Sequence, residues 1–154
     1  MSAQGNIKAT YQALVESGNV RYAAYPVGAG IAAVSDGAAA AWAWSAYVQI
    51  VAAGTIPNPC WLVGLTYANG AVEDIDADIA IASGAAGAEA DLAIIPIRSL
   101  LETSVGAGVV TPIMLPFAIK IAGSPRIAIR IRKDTAASAA GGTVKIWVAT
   151  AIGS

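Results

Sequence analysis

The sequence predicts an all-β protein: one antiparallel β-sandwich of jelly-roll type over residues 20–154, preceded by an arm or short helix over residues 1–19. Three observations predict it. From Val20 onward glycines and prolines recur roughly every 8–12 residues, the spacing of short strands joined by turns. Three segments alternate apolar and polar residues with period two, which gives a strand one face for a core and one for water. Nowhere do strands alternate with helices of about 10–15 residues, which argues against a doubly wound α/β fold. The length of 154 residues suits a single core.

The elements follow in order. At residues 7–17, Ile7, Tyr11, Leu14 and Val15 make a rough apolar stripe at helical spacing, and Gly18-Asn19 would end it. A plain arm is the alternative. Strands are expected over residues 20–25, 30–35, 41–52, 60–67, 74–82, 89–97, 117–122, 126–132 and 143–150. The clearest alternation places Ile127, Ile129 and Ile131 opposite Arg126, Ala128, Arg130 and Arg132. In the same way Ile75, Ala77, Ile79 and Ile81 oppose Asp74, Asp76 and Asp78, and Val144, Ile146 and Val148 oppose Thr143, Lys145 and Trp147. Segment 41–52 is apolar on both sides: Trp42, Trp44, Val48 and Ile50 fall on one face, Ala43, Tyr47 and Val51 on the other. It reads as a central strand, or as one covered by the N-terminal segment or by another subunit. Gly84 and Gly87 turn the alanine-rich residues 84–90 from a helix into a turn, since glycine costs a helix roughly 1 kcal/mol relative to alanine.

Composition narrows function mainly by subtraction. Hydrophobic residues make up 56% of the chain and charged residues 12%, against a usual charged share of about 25%. So apolar a chain folds rather than remaining disordered. It has no histidine, which removes Ser–His–Asp and Cys–His catalysis and imidazole metal sites. Its lone cysteine, Cys60, has no disulfide partner within the chain and reads as a small buried hydrophobe. Residues 1–18 mix Gln4, Asn6, Lys8, Gln12 and Glu16 with apolar residues, so no cleaved secretion signal is expected. Gln49, Gly54, Pro57, Asn58, Pro59 and Gly64 interrupt the least charged stretch, so no membrane span is expected.

Charge is unevenly placed. Residues 1–91 hold two bases and eight acids, whereas residues 92–154 hold seven bases and two acids. Asp74, Asp76 and Asp78 would line one face of a strand, but counting from Asp74 puts Ile79 and Ala85 where a calcium loop needs its glycine and its final glutamate. An acidic stripe that pairs with Arg126, Arg130 and Arg132, within or between subunits, is the expected reading. No metal, other cofactor or catalytic residue is assigned, and no direct nucleic-acid contact is expected, because the acids offset the arginines. Gly28-Ala29-Gly30 and the Gly84–Gly87 stretch lack the surroundings of a phosphate loop. Trp42, Trp44, Trp61, Trp147, Tyr22 and Tyr25 read first as core or interface, and second as a sugar-binding platform. The interface candidates are Trp42, Trp44, Tyr47, Asp74, Asp76, Asp78, Arg126, Arg130, Arg132 and Trp147.

Three stretches carry a resemblance: residues 42–50 (WAWSAYVQI), 84–91 (GAAGAEAD) and 116–130 (PFAIKIAGSPRIAIR). With the strand pattern over residues 20–150, they resemble small β-sandwich virion proteins, especially capsid decoration or cement proteins of tailed bacteriophages. The resemblance implies a jelly-roll-like sandwich without catalytic residues. It also implies a homo-oligomer, with a trimer favoured, and a major capsid or other virion protein as partner. The implied location is the capsid exterior, after assembly in the host cytoplasm. A carbohydrate- or receptor-binding module of a virion fibre is the alternative.

Overall fold

The structure is a computed structural model that describes residues 11–27, 32–34, 40–68, 76–97, 110–123, 125–134 and 142–152. Its strands are β1 (Val20–Tyr25), β2 (Ala32–Val34), β3 (Val48–Val51), β4 (Cys60–Ala68), β5 (Ala77–Ser83), β6 (Ala90–Ile97), β7 (Val110–Ile121), β8 (Ile127–Lys133) and β9 (Gly142–Ala151). A short helix, α1, covers residues 11–16.

Two antiparallel sheets form. Sheet A has the order β1-β9-β4-β7, with β2 continuing the β1 side of β9; sheet B has the order β3-β8-β5-β6. The chain passes repeatedly from one sheet to the other, and the interleaved order is that of a jelly roll, the expected architecture. The core lies between the sheets because the period-two residues point there. Leu62, Leu65, Tyr67, Val144, Ile146 and Val148 come from sheet A, and Ile79, Ile81, Ile95, Ile127, Ile129 and Ile131 from sheet B. Each of these larger aliphatic side chains contributes roughly 1.5–3 kcal/mol on burial, before ordering costs.

The outer face of sheet A carries a second apolar cluster of Trp61, Val63 and Ala149, with Trp147, Val20 and Ala118 against it. Helix α1 lies over it through Tyr11 and Leu14. The Tyr11 ring sits 5.7 Å from that of Trp61, and the Tyr11 and Tyr22 hydroxyls are 3.1 Å apart. So short a helix is marginal alone and depends on this packing. Its end is well specified: Asn19 N–H donates to Leu14 O and Gly18 N–H to Val15 O, with Gly18 at φ 70°. This is a Schellman cap, placed where Gly18-Asn19 was expected to stop the helix. Val15 remains exposed and Ile7 lies outside the described residues.

Two expectations need correction. Residues 41–52 are not a central strand: only Val48–Val51 is strand, and it lies at the edge of sheet B. Trp42 has φ 59°, and a register shift between Gln49 and Val51 breaks the alternation, so Ile50 and Val51 are both buried. The N-terminal helix covers the other sheet. Second, β7 starts at Val110 rather than at residue 117. Pro112 and Pro116 lie within it, and an edge strand can hold prolines because one row of its N–H groups needs no ladder partner.

Strand β4 has a bulge between Leu62 and Gly64, where its pairing jumps from Ile119 to Met114 on β7. A Cβ at Gly64 would stand 2.5 Å from Ile113 O and 3.0 Å from Met114 Sδ. Since the first contact is backbone in a paired strand, relief requires the β4–β7 ladder to part. Gly64→Ala should therefore cost about 1–3 kcal/mol, the usual range for overpacking. Urea unfolding should show a lower midpoint at an unchanged slope; an unshifted midpoint would mean that the bulge yields freely.

Candidate functional site

The densest polar constellation lies on the outer face of sheet B. Arg130 and Arg132 on β8, and Arg126 just before it, point to this face, as their alternation with buried Ile127, Ile129 and Ile131 requires. The neighbouring outer positions are Ala128 on β8 and Ala80 and Ala82 on β5, all fully buried. They form a floor without bulk. A guanidinium from β8 can therefore lie across β5 toward β6, two strand spacings or roughly 9–10 Å away.

All three arginines find acids. Arg126 binds the Glu89 carboxylate and donates through Nε to Gln49 Oε1 at 2.8 Å. Arg130 Nη2 donates to Asp91 Oδ2 at 2.7 Å. Arg132 donates through Nε and Nη2 to Asp78 Oδ2, both at 2.8 Å. Pairing within one subunit thus occurs, but only Asp78 comes from the expected aspartate stripe. Glu89 and Asp91, next to and on β6, take the other two arginines. Asp78 is 6% exposed because Arg132 and its neighbours cover it, so it is not a solvent-facing group. Asp76 is partly exposed at the start of β5, and Asp74 lies outside the described residues.

Over the arginines runs segment 40–47. Its backbone follows β8 beyond β3: Trp42 N–H donates to Lys133 O, Ser45 N–H to Ile131 O, and Ile131 N–H to Ser45 Oγ. The aromatic side chains turn onto the sheet and alternate with guanidinium groups. Arg130 lies 4.7 Å from the Tyr47 ring centroid and 4.6 Å from that of Trp44; Arg132 lies 4.6 Å from Trp44 and 5.8 Å from Trp42. The order Tyr47, Arg130, Trp44, Arg132, Trp42 is a cation–π ladder, with each close contact worth ~0.5–2 kcal/mol. Tyr47 was expected on the face opposite Trp42 and Trp44. The non-strand backbone brings all three to one side.

The far end is locked as well. Tyr47 O–H donates to Asp91 Oδ1 at 2.7 Å, so Asp91 receives both the phenol and Arg130. Burial first, and then this bond to Asp91, pushes the Tyr47 phenol up. Arg126 holds Glu89 below the ordinary carboxylate range, helped by Gly87 N–H donating to Glu89 Oε2 at 2.8 Å. A carboxylate so held is a poor general base. The arrangement fixes one sheet face and clamps an irregular strand to it.

The remaining expected residues lie apart from this network. Trp147 is half-buried on sheet A beside Trp61, which is fully buried with its Nε1 unbonded among the described residues. Tyr25 is in the core, and Tyr22 stands half-exposed beside Tyr11. The six aromatics considered for a sugar platform therefore divide between two outer faces and the core. Cys60 is fully buried, and burial pushes its thiol up. Gly84 and Gly87 form the β5–β6 turn, with φ of 136° and 82°. No group of three or more Cys, Asp or Glu side chains among the described residues could hold a metal ion.

No known protein family and no curated protein matches the chain. Among solved structures, one titled for infectious bursal disease virus, Gx strain, is similar at 12% identity and a TM-score of 0.42, over 86% of this chain and 32% of that one. This chain thus spans about a third of that protein's length.

Two outcomes follow from the ladder. Arg130→Lys keeps the charge but loses the planar group that fills the space between Tyr47 and Trp44. It should lower stability by about 1–2 kcal/mol and change the near-ultraviolet circular dichroism of the tryptophans; an unchanged midpoint and spectrum would deny the ladder a stabilising role. Glu89 gives a pH signature. Its folded pKa lies below the ordinary 4.5, so its contribution is present above that value and is lost as pH falls through the folded pKa. Melting from about pH 6 down to about pH 2 should show a shallower acid decline in Glu89→Gln than in the native chain. Parallel curves would show that another carboxylate governs the decline.

Proposed function

We propose that this chain is a non-enzymatic structural protein of a virion, an oligomeric decoration or cement protein, trimeric, on the outside of a bacteriophage capsid. Coat protein is its neighbour in this reading. The observation that supports it is a braced ionic network together with large apolar side chains left exposed on the sheets. On sheet B the arginines, acids and aromatics are engaged with one another, leaving a braced and nearly neutral surface. Large apolar side chains stay exposed on both sheets: Met114 at 63% and Phe117 at 55% on sheet A, and Ile94 at 52% on sheet B opposite Ala80. Exposed apolar patches mark partner surfaces, and a braced scaffold behind one suits a protein that bears load rather than turns over substrate.

A second reading, a carbohydrate- or receptor-binding module of a fibre, draws on Trp42, which is 44% exposed at the end of the ladder. Jelly rolls serve in both capsid and lectin domains, so the fold alone does not choose between them. Trp44 and Tyr47 already have guanidinium groups over their rings, which favours the structural reading.

Electron microscopy of the native particle that carries the protein tests the proposal. The expected result is density for the sandwich in threefold clusters on the capsid exterior. Finding the chain only at fibre tips, together with glycan binding that Trp42→Ala abolishes, would replace the first reading with the second.

A further inference from the structure

The sheet edges differ in how they are closed. A strand at an edge offers alternate N–H and C=O groups to a further strand, and prolines, bulges or short length block such addition. Strand β7 holds Pro112 and Pro116, β6 holds Pro96, and β3 has only four residues and a register shift. Strand β1 has none of these. It is a proline-free edge of sheet A, six residues long, and pairs with β9 in unbroken register from Val20 opposite Ala151 to Tyr25 opposite Ile146. Among the described residues no group outside β9 bonds its backbone.

Its surroundings are apolar. Val15 on α1, Tyr22 on β1 and Val27 just past it are exposed. So is Ile152, whose N–H donates to Asn19 O at 2.9 Å beside the start of the strand. Tyr22 stands on the outer face next to Tyr11, and Ala24 shares that face by period two, whereas Ala23 and Tyr25 face the core. The one charge of the strand, Arg21, has no acid partner among the described residues.

We infer that the free edge of β1 is an interface at which β1 of a second copy of this chain adds antiparallel, about a two-fold axis at Ala23. This rests on the oligomeric reading above and names one of its contacts. The occupant follows from the strand's own order of side-chain sizes. Opposed residues of an antiparallel pair share a face. A two-fold axis at Ala23 therefore sets Ala23 against itself, Tyr22 against Ala24 of the partner subunit, and Arg21 against Tyr25 of the partner subunit. Each tyrosine on the outer face meets an alanine, the two arginines stay apart, and alanines let the strands close at the axis. The pairing also brings the exposed Tyr22 of both copies under cover. Such a contact is isologous and joins copies in pairs. Within the trimeric reading it ties a subunit of one trimer to a subunit of the next.

Light scattering coupled to size exclusion on the full chain at micromolar concentration tests this. The native protein should have the mass of an even number of 15.4 kDa chains, two for a pair and six for two joined trimers. Tyr22→Glu with Ala24→Glu sets like charges opposite each other across the axis, and Tyr22→Lys with Ala24→Lys does the same with the other sign. Each double variant should fall to half the native mass. An equimolar mixture of the two should regain it, because every opposed pair then has opposite signs. Circular dichroism checks that the variants fold. Hydrogen exchange of the native chain reads the same edge without substitution: the β1 amides that do not bond β9 should exchange slowly, and faster on dilution. A native monomer would overturn both this interface and the oligomeric reading. A native oligomer whose mass survives both double variants, or whose β1 edge amides exchange as fast as free ones, would overturn this interface and leave the oligomeric reading standing. A mixture that stays at half mass would reject the pairing about Ala23.

Discussion

Two arginines two residues apart on one strand set the condition on which sheet B depends. Arg130 and Arg132 project to the same face about 6.6–7 Å apart, and an aromatic ring fits between them. Trp44 takes that place, and Tyr47 and Trp42 close the outer sides. Such stacking requires the guanidinium groups to lie flat, and they can do so only if the positions beneath are small. Ala80, Ala82 and Ala128 meet that requirement. The alanine richness of this chain is therefore partly a packing condition: larger residues there would lift the arginines away from Glu89 and Asp91.

Sheet A solves the same problem with other means. On its outer face Trp61 is covered by apolar contact with α1, Val63 and Ala149. Helix α1 supplies two side chains, Tyr11 and Leu14, and its course is fixed by the Schellman cap that turns the chain into β1. The cover is narrow, and toward β7 the face opens at Met114. Bulge, glycine and exposed methionine form one feature, because Met114 occupies the side of the ladder that a Cβ on residue 64 would crowd.

Much of this was legible in the sequence, and the failures are physical. Strand β1 was expected at its observed bounds, and β4, β6, β8 and β9 within a residue, because each alternates or runs apolar between glycines or prolines. The core faces of β8 and β9 followed from period two alone. Segment 41–47 was misread because periodicity assumes extended backbone, and the left-handed Trp42 and the later bulge violate it. The first half of β7 was missed because proline weighs against a strand until the strand is known to be an edge. The arginine pairing was half legible. The acid excess of the first 91 residues foretold partners for the arginines, but Glu89 and Asp91 become those partners only through the sheet order, which brings β6 within reach across β5.

The same order explains how so few charges suffice. Six of the nineteen acidic and basic side chains form three pairs on one sheet face. Each pair is partly shielded, and two of the arginines also lie against aromatic rings. Isolated surface pairs contribute little, but a network with shared partners and restricted water holds its geometry more firmly. Once these charges cancel locally they contribute little to the field at a distance. In a chain with 12% charged residues, their placement matters more than their number.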